Sequence, residues 1–237
     1  MLYALLVAVV TGLFSANVIR DYLAKRKMYH GLWSAALVMS CIAALCYAVA
    51  AVSGSAIAFK IYYLFGALLV APYTGMGSLF LVMQARLARR ILWGVHVVSL
   101  AGLVLLLTAG VDAEALANLS GSSGRGVLEP GAWLVATVIL NFFGAITVVG
   151  VAFYSVLRAW RNRSEVGLMV GNALIGAGFL LLAVAGSVAR WWPTWDGGFW
   201  VTMALGWVIA YFGFRKVTAA VQSRSVAPTA RAEQKGA

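Results

Sequence analysis

The chain has 237 residues, of which 63% are hydrophobic and only 11% charged. A soluble domain carries charge on about a quarter of its residues, so that class is excluded and the composition describes a polytopic α-helical membrane protein. The net charge of +11 would also suit nucleic acid, but in a membrane protein it marks the cytoplasmic face, and no nucleic-acid partner is expected.

A spanning helix needs about 20 mostly apolar residues, at about 1.5 Å each against a hydrocarbon core of about 30 Å. Seven stretches meet this: Leu2 to Ile19, Leu32 to Ser53, Phe59 to Met83, Ile91 to Gly110, Trp133 to Leu157, Gly167 to Ala189 and Phe199 to Phe214. The expected fold is an all-α integral membrane bundle of seven transmembrane helices. Residues 1–217 form the membrane domain, and the polar residues 218–237 read as a disordered cytoplasmic tail. The opening MLYALLVAVVTGLF has no basic stretch before it and no small-residue cleavage site after it, so it reads as a first spanning helix rather than a cleaved signal.

Two connections are long enough to be sizeable loops, DYLAKRKMYH after the first span and VDAEALANLSGSSGRGVLEPGA after the fourth. The second is rich in Gly and Ser, which predicts a mobile loop. It also carries the sequon Asn118-Leu119-Ser120, which chance explains as readily as glycosylation.

Orientation follows from Lys and Arg. Arg20, Lys25, Arg26, Lys27, Arg86, Arg89, Arg90, Arg158, Arg161, Arg163, Arg215, Lys216, Arg224, Arg231 and Lys235 fall on one side, and only Lys60, Arg125 and Arg190 on the other. Basic loops stay in the cytoplasm, so the N-terminus is predicted outside and the C-terminus inside, in the cytoplasmic (inner) membrane of a bacterium. The outer side holds Asp112, Glu114, Glu129 and Asp196 and is near neutral. Trp33, Trp93 and Trp160 near the inner surface, and Trp133, Trp191, Trp192 and Trp195 near the outer one, read as interfacial anchors. An alternative makes WWPTWDGGFW a lid over an outward pocket.

Within the spans, Gly66, Gly75, Gly77, Gly144, Gly150, Gly171, Gly176 and Gly178 predict close helix approach. Pro72, in APYTGMG, predicts a local irregularity in the third span, tolerated in lipid only where it faces protein or water. Cys41 and Cys46 are five apart, on different faces of one helix, and read as packing residues.

No Asp, Glu, Lys or Arg lies well inside a span, which argues against a proton pump, a proton-coupled antiporter or a voltage sensor. Without an interior Lys, the seventh span has no site for a retinal Schiff base. His30 and His96 form no HxxxH or HExxH spacing and read as packed or interfacial residues, so neither metal nor cofactor is expected. No carboxylate pair accompanies a nucleophile, so there is no visible enzyme machinery. The neutral polar residues in the spans read first as helix-to-helix glue. The candidate ligand-binding residues among them are Tyr62, Tyr63, Tyr73, Asn141 and Asn172.

The run WSAALVMSCIAALCYAVAAVSG followed by KIYYLFGALLVAPYTGMGSLFLV resembles the seven-helix sensory module at the N-terminus of some bacterial histidine kinases. Shared features are the Trp opening the second span, and the aromatic start and Gly-rich end of the third. The resemblance covers about a quarter of the chain and implies a signal-sensing bundle. No kinase or other output domain stands in these 237 residues, so signalling would require a separate membrane or cytoplasmic partner. Seven spans with this orientation, and a faint echo between FSANVIRDYLAKRK and FYSVLRAWRNR, are also similar in architecture to the SWEET-type sugar uniporters with their three-plus-one-plus-three repeat. The Pro-Gln motif of that wider group is missing. The expected function is therefore non-enzymatic, sensor-like or accessory, with a small or lipidic ligand or a membrane partner; the second reading is a small uncoupled transporter.

Overall fold

The computed structural model describes residues 2–119, 122–163, 165–191, 195 and 197–233, with the backbone alone at 187, 189, 190 and 224–233. Ser120 of the sequon, Trp192, Asp196, Lys235 and the side chains of Arg190, Arg224 and Arg231 therefore lie outside the described residues. The elements in chain order are α1 (Leu2–Lys25), α2 (Met28–Ser53), α3 (Ala56–Tyr62), a π-helix (Tyr63–Leu69), α4 (Val70–Val82), α5 (Ala85–Thr108), α6 (Ala113–Ala117), α7 (Ala132–Arg161), α8 (Val166–Trp191) and α9 (Gly198–Glu233). Seven stretches are long and apolar enough to cross a membrane: α1, α2, the continuous α3–π–α4 unit, α5, α7, α8 to Gly186 and α9 to Ser223. This is an all-α seven-helix membrane bundle.

The helices overrun the apolar stretches because their basic ends are helical too. The expected loop after the first span shrinks to Arg26 and Lys27. An Asp21–Lys25 ion pair of 3.0 Å carries α1 past its apolar run. Arg26, with φ 50°, then turns the chain, its N–H donating to the Tyr22 carbonyl at 2.7 Å. At the other end α9 continues as helix to Glu233, through residues whose polar composition reads as a tail.

Neighbouring helices close a ring in the order α1, α2, α4, α7, α8, α9 and back to α1, while α5 lies outside it against α7, α4 and the π-helix. The middle of the ring is filled by aromatic side chains. Phe14 of α1 meets Trp33, Trp207, Tyr211 and Phe214 at centroid distances of 5.3–6.4 Å. Phe179 of α8 stands 5.6 Å from both Trp33 and Trp207. Trp33, expected at the headgroups, is instead buried here, because the missing Cβ of Gly77 leaves room for its ring: an added Cβ would stand 2.1 Å from Trp33 Cδ1.

Lipid offers no hydrophobic force between helices, so van der Waals packing at close backbone approach holds them together. A Cβ on Gly144 would stand 2.3 Å from the Ala71 carbonyl carbon, and one on Gly178 would stand 2.6 Å from the Gly206 oxygen. Gly206 and Gly213 of α9, which meet Gly178 and Gly171, complete a pattern of which only the α8 half stood out in the sequence.

The predicted irregularity of the third span is a π-helix one turn before Pro72. Proline has no N–H and its ring crowds the carbonyl four residues back, here Leu68. The chain widens there, and the Val70 N–H bonds to Phe65 oxygen five residues back instead of four.

Candidate binding site at the loop-capped end

Tyr62 and Tyr63 stand where α3 passes into the π-helix. Ser55 starts α3 by accepting from the Ala58 N–H at 3.3 Å, and the helix then places Phe59, Tyr62 and Tyr63 towards the bundle. They join Tyr47 of α2, Trp200 of α9 and Trp133 of α7 in one aromatic cluster. Tyr47 lies 4.5 Å from Trp200 and 5.1 Å from Tyr62, and Tyr63 meets Trp133 edge-on at 5.6 Å. Trp133, expected as an interfacial anchor, is only 5% exposed, and its Nε1 donates to the Glu129 carbonyl at 2.9 Å.

The loop between α5 and α7 closes over this cluster. It was expected to be mobile; its described residues are instead folded onto the bundle. Leu116, Leu119, Val127 and Leu128 are buried. The loop is pinned to itself where the Asp112 N–H donates to Val127 oxygen at 2.9 Å and the Glu129 N–H to Gly110 oxygen at 3.0 Å. Asp112 caps α6 by accepting from the Glu114 and Ala115 N–H groups. Gly124, at φ 74°, takes a backbone conformation L side chains avoid and sits against the Phe59 ring.

Three spans reach neighbouring carbonyls of the loop. The Tyr47 hydroxyl lies 2.9 Å from Leu119 oxygen and 2.6 Å from Ser122 oxygen, Tyr62 donates to Ser123 oxygen at 3.0 Å, and Trp200 Nε1 donates to Ser122 oxygen at 3.3 Å. Buried carbonyls need donors, and here α2, α3 and α9 provide them. Lys60 of α3 donates to the Leu107 carbonyl at the end of α5 at 2.7 Å, where a cation also suits the helix dipole.

The five candidate residues do not converge. Tyr62 and Tyr63 belong to the capped cluster. Asn141 of α7 sits mid-bundle, its amide donating to the carbonyl of Ala67 in the π-helix and to Thr137 oxygen of its own helix. Tyr73 of α4 shares a 2.8 Å hydrogen bond with His96 Nδ1 of α5. Asn172 of α8 donates to Leu168 oxygen of its own helix. Asn141 and Asn172 therefore make the bonds of packing residues. His30 and His96 stand apart, on α2 and α5. Tyr47, Phe59 and Trp200 complete the cluster; in the sequence Trp200 ends the aromatic run WWPTWDGGFW, and no pattern sets Tyr47 or Phe59 apart.

No protein-family model, curated protein or solved structure matches the chain. The arrangement therefore carries the functional reading by itself. It offers aromatic faces, the phenol hydroxyls of Tyr47 and Tyr62 and the indole N–H groups of Trp133 and Trp200, all neutral and all engaged by backbone carbonyls of the chain's own loop.

Proposed function

We propose that this is a non-enzymatic seven-helix protein of a bacterial cytoplasmic membrane, sensor-like or accessory in role, with its capped end outside. One observation carries the reading: the loop carbonyls at Leu119, Ser122 and Ser123 are held by side chains of α2, α3 and α9 together. A ligand or partner that displaced the loop would free donors on three spans at once. Differential contacts of that kind are what shift a helix bundle between states. The absence of Asp, Glu, Lys and Arg deep in the spans and the resemblance to sensory modules of histidine kinases support the same reading, with output through a membrane or cytoplasmic partner.

The second reading, an uncoupled transporter, is favoured by one feature. Six spans make the ring and α5 stays outside it, the layout of a three-plus-one-plus-three repeat. Against it, the centre of the ring is filled by Phe14, Trp33, Phe179 and Trp207.

A photo-crosslinker at Arg161, on the basic end, separates the two in native membranes. The sensor or accessory reading expects a defined crosslinked partner whose yield changes when Tyr47→Phe and Tyr62→Phe loosen the loop. Equilibration of neutral solutes by reconstituted vesicles, with no crosslinked partner, would favour the transporter.

A further inference from the structure

At the basic end, α5 opens with Arg86, Arg89 and Arg90, all exposed. Among the described residues none of the three forms an ion pair; Arg89 Nε donates only to the Ala85 carbonyl at 3.3 Å. Gln84, before the helix, makes no side-chain cap, so the positive dipole end adds to the three guanidinium charges. One turn further in, Trp93 is 70% exposed on the lipid side. Beyond it, Val97, Leu100 and Val104 continue the same exposed apolar face.

The partly buried His96–Tyr73 pair lies in the crevice between α5 and α4, just below Trp93. A polar pair open to lipid calls for a polar partner. In the tautomer where Nδ1 accepts from the Tyr73 hydroxyl, Nε2 carries the ring proton and can donate once more. Side chains on a helix lean towards its N-terminus, which for α5 is the basic end, so His96 leans towards the headgroups. His96 is seven residues beyond Arg89, about 10 Å along the axis, a spacing comparable to one interfacial layer of a bilayer.

We propose that this crevice binds one anionic phospholipid, its phosphate held by Arg86 and Arg89, an ester carbonyl by His96, and an acyl chain along Val97 and Leu100. Uncompensated arginines select an anionic headgroup, and the apolar face below selects a lipid over a free phosphate. The site lies at the opposite end from the loop cap and does not depend on the sensing role.

Native mass spectrometry of the purified full chain, titrated with phosphatidylglycerol or phosphatidylcholine, tests it. The wild type should retain one phosphatidylglycerol at concentrations where phosphatidylcholine is lost. Arg86→Gln with Arg89→Gln should weaken that binding about tenfold or more. His96→Ala should weaken it as well, while His96→Gln, which keeps a donor, should restore part of it. Arg158→Gln with Arg161→Gln, equal in charge and on the same face, should leave it unchanged. Equal loss in both arginine pairs, equal binding of the two lipids, or displacement by inorganic phosphate would overturn the proposal.

Discussion

The side-chain amide of Asn141 donates across the bundle to the carbonyl of Ala67. Ala67 belongs to the π-helix, where the regular helical pairing is broken. Asn141 therefore compensates from α7 for the disruption that Pro72 causes in the third span, and the two features depend on each other. Asn141→Leu should lower stability by about 0.5–2 kcal/mol, the range of interhelical hydrogen bonds in membranes. Reversible unfolding in mixed micelles measures it, and an unchanged midpoint would show that the Ala67 carbonyl needs no partner.

Gly144 lets α7 lie directly on the backbone of Ala71 and Pro72. Gly144→Ala should cost about 1–3 kcal/mol through forced separation of the helices. Gly150→Ala, in the same helix with open space around it, should be neutral or gain up to about 1 kcal/mol from helix propensity. Unfolding of the pair, side by side, checks this; equal effects would contradict the close contact.

Basic residues divide fifteen to three between the two ends. A reporter fused after Lys235 should therefore read cytoplasm, and one inserted at Ser122 should read the outside. Active alkaline phosphatase at the C-terminus would reverse the orientation.

The seven spans were legible because each is a run of apolar residues longer than a bilayer requires. Their ends were less so: Arg20, Lys25 and Arg158 to Arg161 look like loop residues but continue helices into the headgroup region. Pro72 announced a break, yet the π-helix forms on its N-terminal side, where the carbonyl it cannot serve lies. Trp33 and Trp133 sit near span ends, as anchors do, and nothing in the local pattern tells that Gly77 leaves room for the one and Tyr63 packs against the other inside. The loop cap was hidden for a different reason. Its bonds run from side chains at positions 47, 62 and 200 to backbone carbonyls at 119, 122 and 123, and a carbonyl acceptor leaves no mark on residue type.

The cap also predicts an asymmetry among its donors. Tyr62→Phe removes the donor of the part-buried Ser123 oxygen, whereas Tyr47→Phe removes the donor of the buried Leu119 oxygen, its single hydroxyl proton being shared with Ser122 oxygen, which Trp200 also serves. A lost bond costs about 1–3 kcal/mol where the carbonyl is buried and less where water can reach it, so Tyr47→Phe should loosen the loop more. Limited proteolysis within 109–131 should run faster in Tyr47→Phe than in Tyr62→Phe, and the reverse order would contradict the assignment.

Amide hydrogen exchange of the loop in lipid nanodiscs tests the held cap most directly. The N–H groups of Asp112, Val127 and Glu129 donate within the loop and should exchange slowly in the wild type. In the Tyr47→Phe, Tyr62→Phe double variant they should exchange much faster, with the amides of α7 unchanged. Rapid exchange of these three amides in the wild type, or equal protection in the double variant, would contradict a loop held by the spans beneath it.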